Sequence, residues 1–273
     1  MTLSLPAETL LIEGADASTF AHAQFSSAVN SLLVGRWQFS AWLDPKGRVL
    51  ALFHLARIAD DQYLLLLRGG SAAVMAEALR RFVFRSKVRI TALPARALAT
   101  GPALTRGSVT MESFAQDGAT DLSLGCDSHS LRITRAGIDD DAWRLMQLRN
   151  GWPWLPESCL GEVLSPAISL QRLQAVVVDK GCYPGQEIVA RLHFRGGYKR
   201  HLHRVTLSQA ANAGDMLQQE DRDIGRVLDV IAVETGFEAL AILNDELAAQ
   251  ANDQTTLTLH NDIVMTVLSS WPA

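Results

Sequence analysis

The sequence predicts an α+β protein that ends in a small antiparallel β-barrel. Between residues 9 and 93, short apolar strand-like runs alternate with two amphipathic helical stretches. After about residue 203, only short strand-like pieces recur, spaced by turn residues. The composition is that of an ordinary globular chain: 273 residues, 48% hydrophobic and 20% charged. That length suits one large domain or two ordinary ones.

Residues 9–13 read as a strand, and Asp16 as the cap of a helix running through Phe20, Ala21, Gln24 and Phe25 toward Leu32. Asp44-Pro45-Lys46-Gly47 then joins two apolar runs as a hairpin turn. Asp60-Asp61-Gln62 turns into the strand YLLLLR. Ser71 caps the amphipathic helix AAVMAEALRRFVF, and a strand follows from Lys87 to Leu93. This strand, helix, strands, helix, strand order is ferredoxin-like, with the helices on one sheet face. Within 95–137 the strand candidates are short, HSLRIT among them. Aspartates 139–141 place negative charge at the start of a helix that Asn150-Gly151 and Pro153 end. RVTLS, GRVLDVIAVE, FEALAIL, TTLTLH and IVMTVLS supply the closing barrel.

The net charge of −4 is not that of a general polyanion binder, so any anion site must be local. Cys126, Cys159 and Cys182 are odd in number and widely spaced, which argues against a disulfide framework or an all-cysteine zinc site and for a reducing compartment. The first residues, MTLSLPAETLLIEGAD, read as neither a signal nor a transit peptide, and no apolar run is of membrane-spanning length. A cytoplasmic protein with no membrane partner is expected.

One stretch departs from the average, DKGCYPGQEIVARLHFRGGYKRHLHR, from Asp179 to Arg204. Between Lys180 and Arg204 it holds six Lys or Arg against a single acid, Glu187. Gly181 and Gly185 bracket Cys182, and GQEIVARL has helical character, so Cys182 falls just before a helix start. Backbone N–H groups and nearby cations there favour a thiolate and would also receive an anion. The same residues are compatible with a buried small hydrophobe and a solvated basic face. His201 and His203 would share one face of a strand, but no acid or cysteine lies at a spacing that supports a metal site.

KGCYPGQEIVAR resembles the signature of the YgfZ family, folate-binding proteins related to the glycine-cleavage T protein. FRGGYKR, LIEGADASTFAHAQFSS, WLDPKGRVLALFHL and LMQLRNGWP are similar to further family segments, in the family's order across residues 10–204. The resemblance implies a T-protein-like domain over 1–202, divisible at about residue 94 into ferredoxin-like subdomains around a central folate-type cavity. The barrel over 203–273 would be the family's last domain.

What the resemblance further implies is tetrahydrofolate or a related folate as ligand, and a role in making or repairing iron–sulfur enzymes, among them tRNA-modifying ones. The signature cysteine falls on Cys182, as a reactive thiol or transient cluster ligand with no permanent metal. Lys180, Gly181, Tyr183, Gly185, Gln186, Glu187 and Arg191 would shape its loop. Trp143 would stack on the pterin, beside Arg149, with Lys180, Arg191 or Arg195 for the anionic tail.

Two departures bear on the activity. Arg149 stands where the T protein has a pterin-binding glutamate, and a guanidinium offers donors only. The T protein also lacks the signature cysteine. Both favour an accessory factor over the first alternative, a tetrahydrofolate-dependent aminomethyl or one-carbon transferase. Pro166-Ala167, where the family more often has Pro-Gln, touches a secondary contact. The second alternative is an RNA-binding module that binds tRNA directly through the 180–204 stretch, with Tyr183, Phe194 and Tyr198 as its few aromatics.

Overall fold

The computed structural model of the chain describes residues 6–113, 120–134, 142–220, 222–251 and 256–271. The first part of the chain runs β1 (Pro6–Ala7), β2 (Thr9–Glu13), α1 (Ala17–Gln24), β3 (Arg36–Leu43), β4 (Val49–Ala59), β5 (Gln62–Leu67), α2 (Ala72–Arg80) and β6 (Arg89–Ala92). It continues through β7 (Arg96–Gly101), β8 (Val109–Ser113), β9 (Thr120–Gly125), β10 (Ser130–Thr134), α3 (Ala142–Arg149) and α4 (Gln186–Arg195). It closes with β11 (Arg200–Leu207), β12 (Met216–Gln219), β13 (Arg222–Val233), β14 (Gly236–Asn244), α5 (Asp245–Gln250), β15 (Leu257–Thr258) and β16 (Val264–Trp271). Aspartates 139–141, read as the negative start of the third helix, lie outside the described residues.

Two compact units share the chain as interleaved segments. The first takes residues 1–42, 51–143 and 179–183, and the second takes 43–50, 144–178 and 184–273. The boundary expected at 202/203 falls inside β11, which opens at Arg200.

The first unit holds two five-stranded sheets. One has the order β3-β4-β5-β2-β6. It is the expected ferredoxin-like arrangement, with β2 between β5 and β6 and with β3 as an extra edge strand. Leu10, Ile12, Phe39, Phe53, Leu55, Tyr63 and Leu65 are all 0–1% exposed. The other sheet, β1-β7-β10-β9-β8, is antiparallel, and β7 to β10 follow one another without a helix among the described residues. It is therefore not a second ferredoxin-like unit. Short alternating segments between turns supply period-two faces and no helical stripe. Trp37 joins the sheets, its indole N–H donating to the Gly125 carbonyl at 2.9 Å.

Neither expected helix cap forms, because longer-range partners intervene. Asp16 stands at the first position before α1 without capping it; its carboxylate accepts the Lys87 backbone N–H at 2.7 Å. Ser71 does not cap α2 either, and the Ala72 N–H goes to the Glu8 carboxylate at 2.8 Å. An orphan donor at a helix start needs an acceptor, and at α2 tertiary packing supplies it.

In the second unit, six strands in the order β12-β13-β14-β11-β16-β15 form a nearly closed antiparallel barrel. The short turn His260–Asp262 lies against β12. Val205, Leu207, Val227, Ala241, Leu243 and Met265 fill its interior. Alternate residues of each strand point inward, so the apolar alternation read from 203 onward becomes the barrel core. α3 ends as expected: Gly151 is left-handed at φ 66°. Arg172 donates to the carbonyls of Asn150 (3.2 Å) and Gly151 (2.6 Å). A cation at a helix C-terminus both bonds the last carbonyls and opposes the dipole.

Candidate functional site

Cys182 is exposed, whereas Cys126 and Cys159 are buried. Its flanks are anchored within the first unit. The Lys180 ammonium donates to the backbone carbonyls of His22 (2.6 Å), Ser27 (3.0 Å) and Phe25. These acceptors lie in and just after α1, where the chain turns and leaves carbonyls without helical partners. Lys180 also sits 4.9 Å from the centroid of the Tyr183 ring, which is 6% exposed. Burial brings the Lys180 pKa down to about 8 and pushes the Tyr183 phenol up to about 12. Burial, and then the Lys180 charge, also lowers His22. The loop is thus tied down on both sides of an outward thiol.

α4 begins directly after this loop, in the second unit. Gly185 precedes it at φ 80°, and a Cβ there would lie 2.5 Å from the Asp44 carbonyl oxygen and 2.9 Å from the Gly47 Cα. The motif glycine is required both for its left-handed backbone and for the approach of the 44–47 turn. That turn is rigid. The Asp44 carboxylate accepts the N–H groups of Lys46 (2.8 Å) and Arg48 (2.9 Å) and pairs with the Arg48 guanidinium at 2.6 Å. Burial alone would raise Asp44, but these bonds hold it below the usual carboxylate range. Gln186 reaches back to the Val178 carbonyl at 3.4 Å. Glu187, Arg191 and Arg195 are exposed, and neither arginine has a carboxylate partner among the described residues.

The residues read as pterin neighbours are placed differently. Trp143 is 1% exposed, and its backbone N–H donates to Thr100 Oγ1 at 3.0 Å. Arg149 is half-exposed and binds Glu238 through Nε, 3.1 Å from each carboxylate oxygen, and through Nη2 at 2.5 Å. Arg149 and Glu238 line a cavity of about 640 Å³ with Leu145 and residues 232–235. The motif therefore does not leave Lys180 as an anion ligand: its three N–H donors already serve three carbonyls. Arg191 and Arg195 keep their donors toward solvent. Pro166 and Ala167 are buried in a 3₁₀ turn, Ser165–Ile168.

Two acids escaped the sequence reading. Glu238 is the lone acid in the apolar run GFEALAILN, and that isolation was its signal. Asp245 follows β14 at the start of α5, and its carboxylate lies 2.8 Å from His201 Nδ1 and 3.8 Å from His203 Nε2. An acid thus does reach both histidines, through the β11–β14 pairing rather than through spacing. No group of three His, Cys, Asp or Glu among the described residues is arranged to hold a metal ion. No helix among them is long and apolar enough to cross a membrane.

No family model matches the chain. The fold is that of a glycine-cleavage T protein: the aminomethyltransferase T of Bartonella henselae superposes with a TM-score of 0.63 at 16% identity, over 96% of this chain and 82% of that one. Among sequences, the tRNA-modifying protein YgfZ of Sodalis glossinidius is 26% identical over 274 residues, covering 88% of this chain and 83% of the relative. The tRNA-modifying protein YgfZ of Vibrio vulnificus is 25% identical over 236 residues, covering 79% and 72%. Over most of its length the chain is similar in sequence to these YgfZ proteins.

Proposed function

We propose that this protein is a folate-binding accessory factor that supports the assembly or repair of iron–sulfur enzymes, tRNA-modifying ones among them, in the reducing cytoplasm, with Cys182 as the acting thiol. The observation that carries the reading is the exposed Cys182 on a loop fixed from both sides by Lys180 and Tyr183. A thiol held outward in fixed geometry suits contact with a partner's soft metal, and a single thiolate needs a client to complete the ligand set.

The residues present fit a folate in part. A bound folate would supply a flat pterin and an anionic glutamate tail. Arg191 and Arg195 have the free donors that the tail needs. The Arg149–Glu238 pair offers donors and a carboxylate side by side, though each already serves the other. A carboxylate engaged by arginine is a poor partner for pterin N–H groups, which weighs against aminomethyl transfer.

The test is complementation of a strain lacking this protein, read as the activity of an iron–sulfur enzyme. Wild type should restore it and Cys182→Ser should not, at equal protein levels. Equal restoration by Cys182→Ser would remove the thiol from the function. Tryptophan fluorescence titrated with tetrahydrofolate tests the ligand separately, and binding that is unchanged in Arg191→Ala and Arg195→Ala would remove those contacts.

A further inference from the structure

We infer that the turn after α2, residues 81–87, is a docking surface for single-stranded polynucleotide. It lies in the first unit and does not depend on the cysteine loop. Phe82 is 51% and Phe84 is 89% exposed, and Val74 on α2 is 70% exposed. Scattered surface apolar residues need no explanation. Here, however, two aromatic rings stand two residues apart on a turn whose backbone is fixed. The N–H groups of Phe82, Val83 and Ser86 donate to the carbonyls of Leu79 (2.9 Å), Arg80 (3.1 Å) and Val83 (3.1 Å). Lys87 N–H is held by Asp16 at 2.7 Å. On this backbone the Phe84 ring stands almost wholly in solvent and Phe82 is about half exposed.

The charge around them selects the partner. Arg80 is matched by Glu77 (3.2 Å) and Arg89 by Glu13 (2.5 Å). The side chains of Arg81, Arg85 and Lys87 are exposed and form no ion pair among the described residues, although the Asp16 carboxylate lies at the Lys87 backbone. In a chain of net charge −4, this is a local cationic patch carrying rings. Arg85 lies over the Phe84 ring at 5.4 Å from its centroid, so one ring face already receives a flat, delocalised group. Exposed rings on which bases stack, with cations in reach of the linking phosphates, are what single-strand binding requires. Two phenylalanines offer less apolar surface than one acyl chain, which alone gives only marginal membrane binding. A protein partner would need an acidic surface with ring pockets, and stacking needs only bases.

The experiment is fluorescence anisotropy of a labelled oligouridylate of about 12 nucleotides, within the site sizes such surfaces use, with the full chain at low salt. Wild type should bind with steep salt dependence. Phe82→Ala/Phe84→Ala should weaken binding at least about tenfold, as the loss of stacking predicts. Arg81→Gln/Arg85→Gln should lower the slope of affinity against salt by about two phosphates' worth. Thermal melts of both variants should match wild type, because the side chains are exposed. The proposal is overturned by absence of wild-type binding at low salt or by equal affinity of the phenylalanine variant. Ring-dependent sedimentation with anionic vesicles but no oligonucleotide binding would overturn it as well.

Discussion

Arg149 and Glu238 form a three-bond ion pair in which a half-exposed guanidinium covers a carboxylate that is only 9% exposed. The arginine ends α3 and meets its counter-charge on β14. Hydrogen bonding to Glu238 holds the guanidinium protonated more firmly than usual, and the carboxylate depends on it. Removing Arg149 leaves a largely buried acid to Arg204, whose Nε is 4.0 Å away. Arg149→Ala should therefore lower stability by about 1 kcal/mol, the modest figure reflecting solvent screening of the exposed partner. Urea unfolding of Arg149→Ala, Glu238→Ala and the double variant measures the coupling, and strictly additive losses would contradict it.

Lys180→Met keeps much of the apolar stem but takes the donor away from three carbonyls. A destabilisation of about 1–3 kcal/mol is expected, together with faster modification of Cys182 as its loop loosens. If Lys180 instead served a ligand, Lys180→Met would weaken folate binding with little change in thermal melting.

The three thiols should separate by burial. In native protein, Ellman's reagent should titrate one thiol quickly, and three after denaturation. Burial raises Cys126 to about 12 and raises Cys159 as well, against the pull of Arg226. Cys182→Ser should lose the fast phase entirely. A surviving fast phase in that variant would mean that a buried thiol is reached through local opening.

His203 gives the barrel an acid limit. Its Nδ1 meets Ser270 Oγ at 2.8 Å, and its side chain is 4% exposed. Burial lowers it from 6.5 to about 4, against the opposing effect of Asp245 and with a contribution from His201. Between pH 6.5 and 4 the unfolded chain binds a proton here that the native chain does not. Stability therefore falls as pH drops through that window, by up to about 3 kcal/mol at its lower end. His54, fully buried and also lowered by burial, acts in the same direction. His203→Gln should flatten the pH dependence of urea midpoints between 6.5 and 4, and an unchanged slope would assign the effect elsewhere.

Much of this was legible beforehand because it is local. The 44–47 turn, the helices beginning near 17 and 72, the barrel strands and the glycine before α4 all follow from periodicity and turn chemistry. What was not legible is held by residues far apart in sequence. Asp16 and Ser71 have the right chemistry for caps, yet Lys87 and Glu8 determine what happens at those helix ends. Charge counting put Lys180 among the anion-binding cations, because it cannot tell a cation facing solvent from one facing carbonyls. Glu238 and Asp245 stay invisible until β14 is paired with β11.

The division of the signature motif between the two units has a consequence for biosynthesis. Residues 179–183 complete the first unit, while the chain from 184 onward belongs to the second. The ammonium that holds the carbonyls in and just after α1 leaves the ribosome 153 to 158 residues behind them. The first unit therefore cannot finish during early translation, and no single cut releases either unit whole. A nascent chain stalled before residue 179 should be an incomplete body rather than a folded domain awaiting its neighbour, and exposed to proteases and chaperones for that interval.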